Sequence, residues 1–162
     1  MIAMTETEIF NLLDTSLIGR LAMADLRGRP YAIPLPFCRI ESTLYLRVPM
    51  TGRKGDILAV NNQVCFEIDV FTDQLDDYAS ILVEGRLIGV EDITEKARVR
   101  VVNDGKYNTL RHAWRPGHGR RTALEELPIR KIINGSISGR KMTPREIPVP
   151  AALMGQSAES AK

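Results

Sequence analysis

Apolar residues recur along this chain with two different periods, and the change between them marks out its elements. Near the N-terminus, Ile9, Phe10, Leu12 and Leu13 fall at helical spacing behind Thr5-Glu6-Thr7-Glu8, whose pattern fits a capping box. That predicts a short helix over residues 6–13. Residues 19–26 read as a strand. Gly28 and Pro30 then make a turn over 25–30. Residues 31–40 and 43–50 read as two further strands, and only Glu41 and Ser42 separate them, which implies a hairpin. Within 43–50, Leu44, Leu46 and Val48 alternate with Tyr45, Arg47 and Pro49, so Arg47 points away from the leucine face.

A short helix is expected over residues 53–61. In the fourth strand, Val64, Phe66, Ile68 and Val70 alternate with Cys65, Glu67, Asp69 and Phe71. An acidic turn over 73–77 leads into a long fifth strand, 78–90, with Gly85 and Gly89 as points of bulge or close approach. Asp92 and Glu95 bracket a second capping box. The helix they open holds Ala97, Val101 and Val102, and Gly105 is placed to end it. A basic loop follows over 111–121, then a sixth strand over 129–138. The expected domain is 1–142. The remaining stretch, 143–162, contains prolines and small polar residues and is expected to be partly disordered. Six strands with helices inserted at three places predict a mainly β, closed or nearly closed antiparallel barrel. Helices do not follow each strand in turn, which argues against a doubly wound parallel sheet.

Composition narrows the functional classes. A chain of 162 residues with 44% hydrophobic and 26% charged content is ordinary for one globular domain. A net charge of +2 gives no global reason to bind nucleic acid or acidic membranes. The apolar stretches are too short to span a bilayer, and no basic-then-apolar leader opens the chain, so the cytoplasm is the expected location. Cys38 and Cys65 lie inside apolar strands and read as small buried hydrophobes, without metal-ligand spacing. His112 and His118 flank a loop with no Glu at zinc-site spacing, so a zinc site or a Cys-His nucleophile is poorly supported and no metal is expected. Glu84 with Arg86, and Glu67 with Asp69, are read as cross-strand ion-pair partners on a wet face. Tyr45 and Tyr78 are read as packing residues with a polar tip.

One run breaks a rule. Thr51-Gly52-Arg53-Lys54-Gly55-Asp56 joins a strand to a helix, and it puts two cations in a first turn that favours Asp and Glu. Exposed basic residues are common, so a solvated surface accounts for it. So does an anion held by free N–H groups, the helix dipole and two cationic side chains. The run lacks the glycine spacing of a Walker P-loop. The loop 111–121 is the other conspicuous segment, with four arginines, both histidines and Trp114. It reads as a solvated loop, as a lid over a ligand, or as a weak nucleic-acid contact.

Taken in order, these motifs resemble a known family. They are the Gly-Arg-Leu-Ala strand, Pro-Tyr-Ala-Ile-Pro-Leu-Pro-Phe, Leu-Tyr-Leu-Arg-Val, Gly-Arg-Lys before a short helix, Val-Cys-Phe-Glu-Ile-Asp, and Tyr-Ala-Ser-Ile-Leu-Val-Glu-Gly-Arg. From Ile9 to Lys141 the chain is similar to the pyridoxamine 5'-phosphate oxidase-like flavoproteins, in particular the nitroimidazole-resistance branch. The resemblance implies a six-stranded split β-barrel and a homodimer with FMN at the subunit interface. It implies that Gly52, Arg53 and Lys54 contact the FMN phosphate, that Arg47 and Val48 lie near the phosphate and ribityl chain, and that Ile33, Pro34, Leu35 and Pro36 run along the flavin ring. Many relatives in that branch carry His-Ser where this chain has Arg47-Val48, so an imidazole is replaced by a third cation. The implied activity is FMN-dependent oxidation or reduction of a small planar molecule, with no residue marked as a proton donor. A non-catalytic flavin- or haem-binding module is the alternative.

Overall fold

The computed structural model describes residues 1–71, 77–110 and 122–142. Most of the predicted acidic turn, the basic loop with His112, Trp114 and His118, and the tail 143–162 lie outside the described residues. The described chain runs β1 (Ile2–Ala3), α1 (Glu6–Thr15), β2 (Ile18–Ala24), β3 (Pro30–Ile40), β4 (Thr43–Arg47), α2 (Gly52–Val60), β5 (Gln63–Phe71), β6 (Tyr78–Gly89), α3 (Ile93–Leu110) and β7 (Ile129–Lys141). The sheet order is β1-β7-β4-β3-β2-β5-β6, and a further β7–β6 pairing closes six of these strands into an antiparallel barrel. Closure removes the exposed edges that an open sheet would leave.

Alternation fills the barrel. Leu21, Met23, Leu44, Leu46, Phe66, Ile68, Ile81 and Val83 point inward, with Leu12 and Leu13 of α1 and Ile57 and Leu58 of α2 joining the same core. Phe37 meets Phe66 edge-to-face at 5.1 Å between ring centroids. The outer side of β3 and β4 is also covered. Cys38, Tyr45 and Ile129 form a second cluster with Val99 of α3. Burial pushes the Cys38 thiol up to about 11. The Tyr45 hydroxyl donates to Glu95 at 2.7 Å, and Lys131 donates to the same carboxylate. This is why Glu95 does not complete the predicted capping box. Asp92 alone does the capping, its carboxylate accepting the Glu95 N–H at 2.8 Å.

Several boundaries move for identifiable reasons. β2 ends at Ala24 because Asp25 turns the chain, its carboxylate accepting the N–H groups of Arg27 and Arg29. β4 stops at Arg47, ahead of Pro49, which has no N–H to give. α3 passes through Gly105 because the next two residues anchor it. Lys106 donates to Leu13 O at 2.9 Å, and the Tyr107 hydroxyl donates to Leu17 O at 2.5 Å. Burial pulls the Lys106 ammonium down to about 8. β7 runs on to Lys141, where β1 pairs with it and Lys141 forms an ion pair with Glu8. The predicted irregularity at Gly85 is present as a register shift between Glu84 and Arg86 against β7. Arg20 bridges Glu67 and Asp69 on the outer face, as expected of that pair.

Candidate functional site

β3 loses a neighbour along its first half. β3 pairs with β2 over residues 30–36, and β4 pairs with β3 only from Phe37 onward. After Arg47 the chain leaves β3, and Val48 N–H donates to Pro128 O at 2.9 Å. Pro49 and Met50 then lead into α2. The free edge of β3 and the start of α2 meet where Arg53 reaches back. Its guanidinium lies 4.6 Å from the centroid of the Tyr31 ring, and its Nη2 is 3.5 Å from Pro30 O.

The start of α2 is built unlike the other helix starts. Thr51 is the N-cap in extended conformation, but its side chain makes no capping hydrogen bond. Gly52 sits at φ 62°, in the left-handed region that favours glycine, and a side chain there would meet open space. Gly55 is needed for a different reason. A Cβ at that position would stand 2.6 Å from the carbonyl carbon of Met50, so the helix lies against its own lead-in loop. No acidic residue occupies the first turn. Lys54 folds back to donate to Thr51 O at 3.1 Å. Among the described residues, Arg47, Arg53 and Lys54 have no carboxylate partner, as is also true of Arg27, Arg86, Arg100, Arg130 and Arg140, but of these only Arg53 and Lys54 stand in the first turn of a helix.

The predicted site residues fall into three groups. Gly52, Arg53 and Lys54 form the uncapped turn itself. Arg47 is exposed at the end of β4, whereas Val48 is fully buried in the main core and offers only its backbone. On β3, Ile33 and Leu35 pack inward against the core, while Pro34 is exposed and Pro36 half-buried on the opposite face. The structure adds two participants that the sequence reading omitted, Tyr31 under the Arg53 guanidinium and the Pro30 carbonyl beside it. Their signal was a β-strand beginning Pro-Tyr, but only the fold brings α2 to it.

Chemically, the turn suits an anion carrying about two negative charges. The arginine fork can take it through paired hydrogen bonds and the lysine as a point charge. The first-turn N–H groups that no side chain caps complete such a cradle. The neighbouring β3 edge offers backbone groups beside a proline-rich apolar surface, which suits a flat heteroaromatic body. Among the described residues, no helix is long and apolar enough to cross a membrane.

The sequence profile of the pyridoxamine 5'-phosphate oxidase family matches residues 5–141. No curated protein matches the chain. Solved structures of the same fold include a Bacteroides thetaiotaomicron protein provisionally assigned to 5-nitroimidazole antibiotic resistance. It superposes at TM-score 0.66 with 21% identity, covering 85% of each chain. A FAD-binding protein of Mycobacterium smegmatis superposes at 0.64 with 19% identity over 87% of this chain and 98% of that one. A FAD-binding protein of Mesorhizobium loti gives 0.64 and 24% over 88% and 98%.

Proposed function

This chain belongs to the pyridoxamine 5'-phosphate oxidase family, and from that membership we propose that it is an FMN-binding oxidoreductase, working in the cytoplasm as a homodimer on a small planar molecule. The observation that carries the reading is the uncapped start of α2, with Arg53 and Lys54 lacking carboxylate partners among the described residues. A phosphate monoester carries about −1.5 to −2 charge at pH 7, which two cations and free N–H groups neutralise. In this reading Gly52, Arg53 and Lys54 hold the FMN phosphate, Arg47 and the Val48 backbone line its approach, and the Ile33-Pro34-Leu35-Pro36 stretch borders the ring. Tyr31 keeps the Arg53 fork in place by stacking beneath it.

Bound isoalloxazine supplies the electron chemistry, taking up and releasing two electrons. The chain's part would be to bind and orient it through the residues named above. A second copy completes the site. Exposed Ile18 and Leu82 flank the Arg20–Glu67 pair on the outer face of the same sheet, giving a dimer an apolar surface to cover. The activity resides in 1–142, and the tail 143–162 is not needed for it.

The absorption spectrum of the purified protein and its thermal stability with added FMN, FAD or riboflavin test this directly. FMN is expected to raise Tm most, and Arg53→Ala to weaken it by about 1.5–3 kcal/mol. Protein that is colourless and gains nothing from any flavin would remove the reading. FAD is the second candidate because two structural neighbours are FAD-binding proteins. A larger shift with FAD than with FMN would assign the cations to a pyrophosphate instead. Tightly bound flavin that neither NADH nor NADPH reduces would convert the enzyme into a binding module.

A further inference from the structure

The free edge of β3 carries information beyond its openness. We infer that residues 30–36 grip the reduced, donor-rich form of a flavin more tightly than the oxidised form, because prolines leave that edge with carbonyls and almost no N–H groups. This rests on the flavin-binding reading above.

The orientation of the edge follows from register. In an antiparallel pair, alternate residues turn both N–H and C=O toward the same neighbour. Pro30, Pro34 and Pro36 face Ala24, Arg20 and Ile18 of β2. A proline cannot complete a hydrogen-bonded pair, so the rungs to β2 must be the odd-numbered residues Tyr31, Ile33 and Leu35. Three contacts agree. Asp25 N–H donates to Arg29 O at 3.2 Å, continuing the odd row. Beyond the end of β2, the Tyr107 hydroxyl takes over and accepts the Phe37 N–H at 2.9 Å. Ala24 O, opposite Pro30, is turned away from β3 and accepts from Asn61 Nδ2 at 2.9 Å. The even-numbered residues therefore face the β4 side, which β4 leaves uncovered through residue 34. Along it stand the carbonyls of Pro30, Ala32 and Pro34, with the N–H of Ala32 as the single donor, whereas Pro36, next to the Phe37–Leu46 rung, already faces Arg47 of β4. Arg53 Nη2 reaches the first of these carbonyls, at Pro30, from α2 at 3.5 Å.

An oxidised isoalloxazine accepts at N1, N5, O2 and O4 and donates only from N3–H. Uptake of two electrons with a proton at N5 turns that acceptor into a donor. An edge of carbonyls can accept from N5–H, yet it has little to give an unprotonated N5. Tighter binding of the reduced form raises the reduction potential of the bound flavin above that of free FMN, in proportion to the logarithm of the affinity ratio. Prolines on a free edge also keep it from pairing with another chain. The test must separate the two.

Two measurements on the FMN-loaded protein do so. One is the dissociation constant of oxidised FMN. The other is the potential of bound FMN, read against a reference dye during anaerobic reduction by dithionite. Wild type is expected to bind reduced FMN more tightly than oxidised FMN. Pro34→Ala and Pro34→Ser each restore one N–H and are expected to lower that preference by about threefold to tenfold, the scale of one hydrogen bond. A wild-type protein that favours oxidised FMN overturns the inference, whatever the variants do. Folded variants that self-associate but keep the wild-type preference also overturn it and assign the prolines to edge protection alone. Failure to bind any flavin would instead sink the functional reading on which this one stands.

Discussion

At the start of α1, Thr5 and Glu8 satisfy each other's backbone. Glu8 N–H donates to Thr5 Oγ1 at 3.3 Å, and Thr5 N–H donates to the Glu8 carboxylate at 2.9 Å. Glu6 and Glu8 place negative charge where the helix dipole favours it, and Lys141 pairs with Glu8 from β7. At the start of α2, Thr51 caps nothing, Lys54 takes the position that Glu8 holds in α1, and Arg53 precedes it in the same first turn. α1 is finished by its own chain. α2 is held by what lies below it, Ile57 and Leu58 in the core and Gly55 against Met50, and its upper end stays open. The two charges there cost on the order of 0.3–1 kcal/mol each in the isolated protein. A site that must bind an anion tolerates that cost, because the same charges become favourable once the anion is in place.

The largest effect should come from making α2 resemble α1. Arg53→Glu with Lys54→Glu puts acids in the first turn. FMN affinity is expected to fall by more than about 3 kcal/mol, since two charged hydrogen-bond donors are lost and two repulsive charges gained. The flavin-free protein is expected to gain stability at the same time, by about 0.3–1 kcal/mol per site. Isothermal titration with FMN and urea unfolding of the flavin-free protein read the two halves separately. Loss of both affinity and stability would mean the cations are structural, and the contrast with α1 would fail.

A smaller effect should come from the backbone under α2. Gly55→Ala brings a Cβ to 2.6 Å from the Met50 carbonyl carbon, which lies in backbone and cannot swing aside. The expected cost is about 1–3 kcal/mol, with flavin affinity reduced because the loop carrying Met50 and Thr51 must shift. Gly52→Ala meets no neighbour but must adopt φ 62°, and should cost roughly 1 kcal/mol. Equal midpoints for the two variants in chemical denaturation would show that α2 does not rest on that loop.

Much of the barrel was legible because alternation is local. Leu44, Leu46 and Val48, or Val64, Phe66 and Ile68, announce their inward face without reference to any partner. What escaped depended on distant residues. Ile2 and Ala3 form a strand only because Arg140 and Lys141 lie beside them. Tyr45 looks half-exposed by alternation, yet α3 covers the outer side of β4 and buries it. Gly105 looks like a stop, but Lys106 and Tyr107 find acceptors on Leu13 and Leu17, which outweigh a glycine cost of about 1 kcal/mol. The site shows the same division. Cations in a first turn are visible in the sequence as a broken rule. The stacking of Arg53 on Tyr31 is not, because it needs α2 to be laid beside the start of β3.

The smallest effect belongs to the finished end. Thr5→Ala removes the hydroxyl that accepts the Glu8 N–H and should cost about 1 kcal/mol, with FMN affinity unchanged because α1 takes no part in the site. Glu8→Gln gives the same comparison a pH dependence. The hydrogen bond from Lys141, with the Thr5 backbone, holds the Glu8 carboxyl below its ordinary value near 4.5. A carboxyl lowered in the folded state contributes stability that is present above its unfolded value and disappears as pH falls through the folded one. The stability difference between wild type and Glu8→Gln should therefore be flat from neutral pH down to about 5 and shrink below that. Urea midpoints at stepped pH values read it. Because none of the α2 cations has a carboxylate partner among the described residues, Arg53→Ala in the flavin-free protein should show no such acid-side loss. A parallel loss in that variant would reveal a carboxylate neutralising Arg53 within the chain, and the open end of α2 would then be as self-sufficient as α1.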